Sequence, residues 1–403
     1  MNHVREISRG CFGTVYALRL AGLNDSVAIK TLSTANELEY QVLWAIGKAR
    51  IPHTVAAISA LRECGPPLLP ESCPLAIAMT LVHGVTLRTY LQSASVLGVR
   101  LELPVVVRWT SQLIHFLLHL KVRLGLSHDD LKLGNVMVEN GNLRVVDFTF
   151  AGRNDPAKWK CGTLCYMPPE RLFGTHRPEW ATLEGSDMWA VGTLLATFVL
   201  TGENLAQSVL NKNEAFHVVD EQGRFNPSRT DTVYHALSRQ EPWFDAAVKR
   251  LAGESRLDEE YVEQAIRLLL WTRARTGRTD DDTFGMPEST PHRMPGLDQT
   301  PLYRLIKQFT PYLLECYDKS GSRVYEKIAD LVRVRMGPVL YDTWHITQRW
   351  DPRGRGTLEE CHAELKQFPP VEGGRMFLAE PTGPVHNDSR AFIADIQRAI
   401  HGK

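Results

Sequence analysis

Residues 126–147 read Leu126-Ser127-His128-Asp129-Asp130-Leu131-Lys132-Leu133-Gly134-Asn135-Val136-Met137-Val138-Glu139-Asn140-Gly141-Asn142-Leu143-Arg144-Val145-Val146-Asp147. An apolar lead-in ends at His128-Asp129-Asp130, and a polar turn runs to Asn135. Two short β-rich runs, Val136 to Val138 and Leu143 to Val146, then flank the turn Glu139-Asn140-Gly141-Asn142. The pattern predicts a loop, a hairpin and a second loop. A hairpin returns its ends to one edge, so Asp130, Asn135 and Asp147 are expected to converge although they span eighteen positions. Two carboxylates and an amide offer only oxygen donors, the set that suits a hard, octahedral Mg²⁺ with water and phosphate oxygens as its other ligands. A metal-nucleotide site follows from that donor set. An isolated Asp-Asp pair is more often a solvated acidic turn; Lys132 between the acids and the sequence upstream decide against that reading.

The run His128-x-Asp130-Leu131-Lys132-x-x-Asn135, followed by Asp147-Phe148, resembles the catalytic loop and magnesium loop of the protein-kinase family. The resemblance implies that Asp130 orients the substrate hydroxyl and accepts its proton, and that Lys132 neutralises charge on the transferred phosphoryl group. Asn135 and Asp147 would hold Mg²⁺.

Upstream, ISRGCFGTVYALRL from Ile7 to Leu20 reads as strand, glycine turn, strand, and SVAIKT from Ser26 to Thr31 as a third strand. Gly10 and Gly13 allow backbone amides to approach phosphate oxygens, although such a pair alone is usually an ordinary hairpin turn. By resemblance, Val15 packs on the ribose, Lys30 in Val27-Ala28-Ile29-Lys30 binds phosphate, and Ile7 and Ala28 contribute to the ATP cleft. Ser8 stands where the family has its first glycine. NELEYQVLWAI, Asn36 to Ile46, places Leu38, Val42, Leu43 and Ile46 on one helical face. Glu39 matches the family's lysine-pairing glutamate, with Glu37 as its competitor. Pro52 to Pro74 reads as loop-rich, Leu75 to Val82 as a buried strand, and Gly84 as the start of a helix through Leu91. Met79 to Gly84 resembles the hinge that meets adenine, with Met79 and Leu81 as contacts.

Leu103 to Leu126 predicts an amphipathic helix with Val106, Trp109, Leu113, Phe116, Leu117 and Leu120 toward the core. Asp129 replaces the arginine with which many family members grip an activation-segment phosphate, so activity independent of that phosphorylation is expected, with Thr163 the position to test. Thr149 replaces the glycine after Asp147-Phe148 and is expected to restrict the backbone there. Cys161 to Glu170 resembles the substrate-docking loop with its closing Pro-Glu, Pro168 standing for alanine. Asp187, at the start of an apolar helix from Ser186, matches the aspartate that braces the catalytic loop. The arginine expected to pair with Glu170 is Arg355, ahead of Arg273 and Arg275. That choice makes 205–339 an enlarged insertion, with a polar stretch from Thr276 to Thr300, and leaves a C-terminal helix, Ser389 to Ile400, expected on the large lobe.

The 403 residues are 43% hydrophobic and 23% charged, ordinary for a globular chain with room for two lobes. Lys+Arg and Asp+Glu both total 46, so no global basic field gathers nucleic acid or an anionic membrane. The expected partners are ATP and protein substrates. Seven scattered cysteines, without paired zinc-ligand spacing, read as reduced thiols of an intracellular protein, cytoplasmic or nuclear. No signal-peptide core is present, and the apolar run from Ala190 to Leu200 is too short to span a membrane.

The expected fold is α+β and bilobal: a β-rich small lobe over 1–82, a helical large lobe over 83–370, and a helical extension over 371–403. The motif order implies a Ser/Thr protein kinase using ATP and Mg²⁺, Lys132 favouring Ser/Thr over Tyr. A small-molecule kinase shares His-x-Asp-x-x-x-x-Asn but not Pro169-Glu170, and Ser8, Asp129 and Thr149 suggest a pseudokinase scaffold as the other alternative. The short link from Lys30 to Glu39 and the missing arginine also resemble the divergent kinases carried by herpesviruses, which would place the work in a host nucleus and cytoplasm.

Overall fold

Strand β1 (His3–Gly10), β2 (Gly13–Arg19) and β3 (Ser26–Leu32) form an antiparallel meander. In β2 the side chains alternate, with Thr14, Tyr16 and Leu18 buried and Val15 and Ala17 half-buried on the other face. A Cβ on Gly13 would lie 1.7 Å from the Thr31 carbonyl oxygen, so this close approach of β2 to β3 requires glycine. The computed structural model describes residues 3–10, 12–19, 26–152, 162–172, 185–208, 219–227, 241–276, 301–321, 323–349, 355, 357–366, 385–387 and 389–401. The sequence-predicted polar stretch from Thr276 to Thr300 lies, after its first residue, outside these, as do Cys11 and Cys161. The five described cysteines, Cys64, Cys73, Cys165, Cys316 and Cys361, are free thiols.

Helix α1 (Leu38–Ala49) buries Tyr40, Val42, Leu43 and Ile46 against the sheet and ends at Arg50 in the left-handed region. Strands β4 (Ala57–Cys64) and β5 (Cys73–Thr80) follow, so the stretch expected to be loop-rich contains a strand. Five successive residues of β4 are buried, which removes the alternation that would have marked it in the sequence.

The sheet has six strands in the order β1-β2-β3-β5-β4-β9, and the sixth, β9 (Val385–His386), joins parallel to β4 from near the chain's end. Helix α12 (Ser389–His401) also packs on β4. Ile396 is fully buried in a cluster with Tyr16, Leu18, Val27, Ile29 and Ile58, against which Ile393 packs. This corrects the expectation that the last helix lies on the large lobe. Its apolar stripe caps the outer face of the small-lobe sheet, and burying Ile396 alone is worth about 2 kcal/mol. Asp395 is buried beneath it, accepting from Ser59 Oγ at 3.2 Å and pairing with His386 at 2.5 Å and with Arg398.

The large lobe begins with β6 (Val85–Thr86) and α2 (Leu87–Val96), capped by the Thr86 hydroxyl. Helix α3 (Leu103–Leu124) buries all six residues assigned to its core face and stops at Gly125, whose φ of 65° suits glycine. Strands β7 (Val136–Glu139) and β8 (Asn142–Val145) form the expected hairpin, turning through Asn140 and Gly141, both at positive φ. The helices that follow are α4 (Pro169–Leu172), α5 (Gly185–Leu200), α6 (Leu205–Ser208), α7 (Pro242–Ser255), α8 (Glu259–Thr276), α9 (Pro301–Lys319), α10 (Val324–Thr347) and α11 (Leu358–Leu365). Thus the described part of 205–339 is largely packed helix.

Helix α10 lies against α5, where Trp344 Nε1 donates to the Gly192 carbonyl at 2.9 Å. A Cβ on Gly192 would meet Thr347 Oγ1 at 2.1 Å, so that glycine sets the closeness of the two helices. Helix α10 breaks at Gly337, with φ 66°, immediately before Pro338.

Four histidines gather where α3 meets α11 and the loop before β4. His115 and His119 of α3 are 2.9 Å apart through their Nε2 atoms, His53 Nε2 is 3.4 Å from His115 Nδ1, and His362 stacks on His115 at 5.5 Å. Burial first, then mutual repulsion and nearby Arg144 or Arg123, pull His53 and His115 each down to about 4.

Candidate active site

Directly paired residues on neighbouring strands share a face, and the register pairs Val15 with Lys30, Ala28 with Met79 and Lys30 with Ile77. Val15, Ala28, Lys30 and Met79 therefore stand on the face opposite the one α12 covers. Ala28 and Met79 are buried there, with Val15 and Leu81 half-buried against the same core. Gly10 and Gly13 are the last pair of the β1–β2 ladder. Ile7 is the unpaired residue at a bulge in β1 and is 44% exposed.

Lys30 Nζ donates to both oxygens of Glu39, at 2.6 and 2.9 Å, and to Asp147 Oδ1 at 2.8 Å. The Lys30–Glu39 pair is almost fully buried, so each charge needs the other. Burial pulls the lysine down, but the Glu39 and Asp147 carboxylates more than reverse it, holding the ammonium above its usual range. Glu37, the competing residue, pairs instead with Arg62 of β4. The helix register settles this: Glu37 precedes α1 at its N-cap, while Glu39 lies in its first turn beneath β3.

The catalytic loop hangs from α3. His128 is fully buried, edge-on to Phe148 at 5.0 Å and to Phe116 at 6.2 Å. Asp187 of α5 accepts the backbone N–H groups of His128 and Asp129 at 2.8 and 2.9 Å, so the brace read from the sequence is present. Burial and the facing Asp129 carboxylate push Asp187 up to about 7, while the amide donors and Arg171 act in the other direction.

Asp130 sits among three partners. Asn135 Nδ2 donates to its Oδ2 at 2.9 Å, Lys132 Nζ lies 2.8 Å from the same oxygen, and Thr163 Oγ1 donates to Oδ1 at 2.8 Å. Lys132 also donates to Thr163 Oγ1 at 2.9 Å. Thr163, named from the sequence as the position at which to test phosphorylation independence, is thus a hydroxyl bound to the catalytic loop. A phosphate there would stand against the Asp130 carboxylate.

The hairpin closes as expected, the Val146 N–H reaching the Asn135 carbonyl at 2.9 Å. Asp147 adopts a left-handed φ of 64°. Burial alone raises its carboxyl, and the Lys30 ammonium overrides this to hold it down at about 2. Because Asn135 turns its amide nitrogen to Asp130, its Oδ1 carries no hydrogen bond among the described residues, and neither does Asp147 Oδ2. Two free oxygen acceptors on ionised or neutral oxygen ligands match what Mg²⁺ accepts. The sequence-predicted ligands therefore fit the ion.

One bridge was readable only as a choice among candidates. Arg355 forks onto Glu170 with Nη1···Oε1 2.6 Å and Nη2···Oε2 2.7 Å, donates to the Gly185 carbonyl, and stacks over Trp189. Arg273 pairs with Asp318, and Arg275 donates to the Gln348 carbonyl. Sequence reasoning missed Arg171 altogether. From α4, directly after Pro169-Glu170, its Nη1 reaches Asp129 Oδ1 at 3.3 Å and Ser186 Oγ at 2.9 Å. The opposite charges of Asp129 and Arg171 were a signal, but forty-two positions separate them.

Comparison with known proteins agrees with this geometry. A family model described as the protein kinase domain matches residues 1–262. The chain belongs to the protein kinase family. It is similar to cyclin-dependent kinase C-2 of Oryza sativa, 28% identical over 225 residues, covering 50% of this chain and 42% of that one. CBL-interacting protein kinase 4 of the same plant is 29% identical over 215 residues, 50% of this chain and 44% of that protein. The dual specificity mitogen-activated protein kinase kinase mek-2 of Caenorhabditis elegans is 26% identical over 195 residues, 46% and 48% of the two chains. The matches span less than half the length of these curated relatives. These plant and nematode kinases lend no support to the herpesvirus resemblance. No helix among the described residues is long and apolar enough to cross a membrane.

Proposed function

We propose that this chain transfers the γ-phosphoryl group of ATP to serine or threonine hydroxyls of proteins, without requiring a phosphate on its own activation segment. The observation that carries the reading is the meeting of Lys30, Glu39 and Asp147 across the two lobes, with Asp130, Lys132 and Thr163 forming a second cluster on the same loop system. Lys30, fixed by Glu39, offers a positive charge to phosphate oxygens. Asp130 is held in place by Asn135 and Thr163, so it can align a hydroxyl and take its proton as the oxygen–phosphorus bond forms and the bond to the ADP oxygen breaks. Lys132 offsets charge on the moving phosphoryl group. Mg²⁺, held by Asn135 and Asp147, would supply further neutralisation of the phosphate oxygens.

Independence from activation-segment phosphorylation rests on the Asp129–Arg171 pair. It ties the catalytic loop to α4 through an internal ion pair, with a carboxylate standing where the family has its phosphate-gripping arginine. Protein treated with phosphatase, and shown by mass spectrometry to carry no phosphate, should retain turnover of Mg·ATP on a generic protein substrate. Asp130→Asn should abolish that turnover. Loss of activity on dephosphorylation contradicts the independence, and nucleotide binding with no turnover in the parent protein points to a scaffold instead.

A further inference from the structure

Thr149 occupies the position where the family's glycine follows Asp147-Phe148, and its side chain does what no glycine can. Its Oγ1 accepts from Lys30 Nζ at 2.9 Å and lies 2.6 Å from Asp147 Oδ1 and 3.2 Å from Glu39 Oε2. A hydroxyl has one hydrogen to give and two lone pairs to receive. The shortest contact assigns that hydrogen to Asp147 Oδ1, while a lone pair takes a proton of Lys30. The Thr149 backbone N–H adds a longer contact to the same Oδ1 at 3.4 Å.

The consequence lies in which carboxylate oxygen is used. Asp147 Oδ1 receives Lys30, the Thr149 hydroxyl and the Thr149 amide, whereas Oδ2 has no partner among the described residues. Asp147 also holds a left-handed φ of 64°, a region non-glycine residues populate sparsely. One threonine therefore joins the small lobe's lysine to a large-lobe carboxylate and fixes that carboxylate's rotation.

We propose that Thr149 is a positioning residue that presets Asp147 for the metal through its hydroxyl. The proposal rests on the kinase reading of this site. A preset ligand spares the ion the cost of ordering it, so removal of the hydroxyl should appear as a demand for more Mg²⁺.

The test is binding of a fluorescent ADP analogue to the full chain across a Mg²⁺ titration, with turnover measured in parallel. Thr149→Val keeps the shape and deletes the hydroxyl. It is expected to raise the Mg²⁺ concentration at half-maximal binding roughly tenfold, the scale of a hydrogen bond to a charged group. It should leave metal-free nucleotide binding within about twofold and lower kcat without raising KM for the protein substrate. Thr149→Ser should recover the parent's Mg²⁺ dependence, which a purely structural role for the methyl group does not predict. If Thr149→Val does not fold, Thr149→Ala carries the same expectation. An unchanged Mg²⁺ titration in the Val or Ala variant, or a Ser variant as impaired as either, overturns the proposal while leaving the kinase reading intact. A parent protein that binds the nucleotide but turns over no protein substrate at any Mg²⁺ concentration overturns the kinase reading and the proposal with it.

Discussion

Truncating Arg355 to alanine tests how the Pro169-Glu170 end of α4 is anchored. The guanidinium and the Glu170 carboxylate are 1% and 2% exposed, and two parallel contacts of 2.6 and 2.7 Å join them. Removing one member leaves a carboxylate in a site with almost no water, and breaking a buried pair this way costs about 3–5 kcal/mol. The Gly185 carbonyl also loses the Arg355 donor, and the Trp189 ring the Arg355 cation. Against a total stability of about 5–15 kcal/mol this is a large share. At about 2 °C per kcal/mol for a chain of this size, the melting temperature should fall by about 6–10 °C. Urea unfolding followed by tryptophan fluorescence measures the change directly. Arg355→Lys keeps the charge but not the planar fork, and should recover only about half the loss. In the Arg355→Ala background, Glu170→Gln should be far less damaging than in the parent, because the Arg355 fork it would otherwise break is already gone. A loss below about 1 kcal/mol for Arg355→Ala refutes the argument.

Further outcomes follow from the same geometry. Asp130→Asn should lower kcat by at least a hundredfold, the usual scale of a general base, with little change in nucleotide affinity; a turnover assay beside a binding titration separates the two. Glu39→Gln should reduce activity at least tenfold and Glu37→Gln less than twofold, since only Glu39 holds Lys30; equal effects sink the assignment. Acid should weaken the fold through the histidine cluster. His53 is neutral in the folded protein until about pH 4 but takes a proton from about 6.5 when unfolded. Its contribution is therefore complete at neutral pH and shrinks as pH falls, by about 2 kcal/mol at pH 5. Denaturation midpoints at pH 7 and pH 5 give the slope, and His53→Gln should flatten it.

Much of this site was legible because its chemistry is local in sequence. Asp130, Lys132, Asn135 and Asp147 lie on one loop and hairpin, and a two-residue Asn140-Gly141 turn dictates that their ends meet. Lys30 and Glu39 are nine positions apart, close enough for strand and helix periodicity to orient both. The pairs that were hard to read are distant ones. Arg171 faces Asp129 where α4 meets the catalytic loop, forty-two positions away in sequence, and no periodicity encodes that. Strand β4 escaped notice because it is buried on both faces, the second face being covered by residues more than three hundred positions away. For the same reason the destination of α12 could not be deduced: an amphipathic stripe shows that a helix has a partner and not which one.

That remote covering has a consequence for biogenesis. Strands β1 to β5 of the sheet are synthesised more than three hundred residues before Ile393 and Ile396, for which Tyr16, Leu18, Val27, Ile29 and Ile58 must wait. During synthesis they present a sticky apolar flank and an open strand margin at β4. Chaperone demand should therefore concentrate on the nascent small-lobe sheet until α12 docks, and translation products that lack α12 should aggregate through that flank.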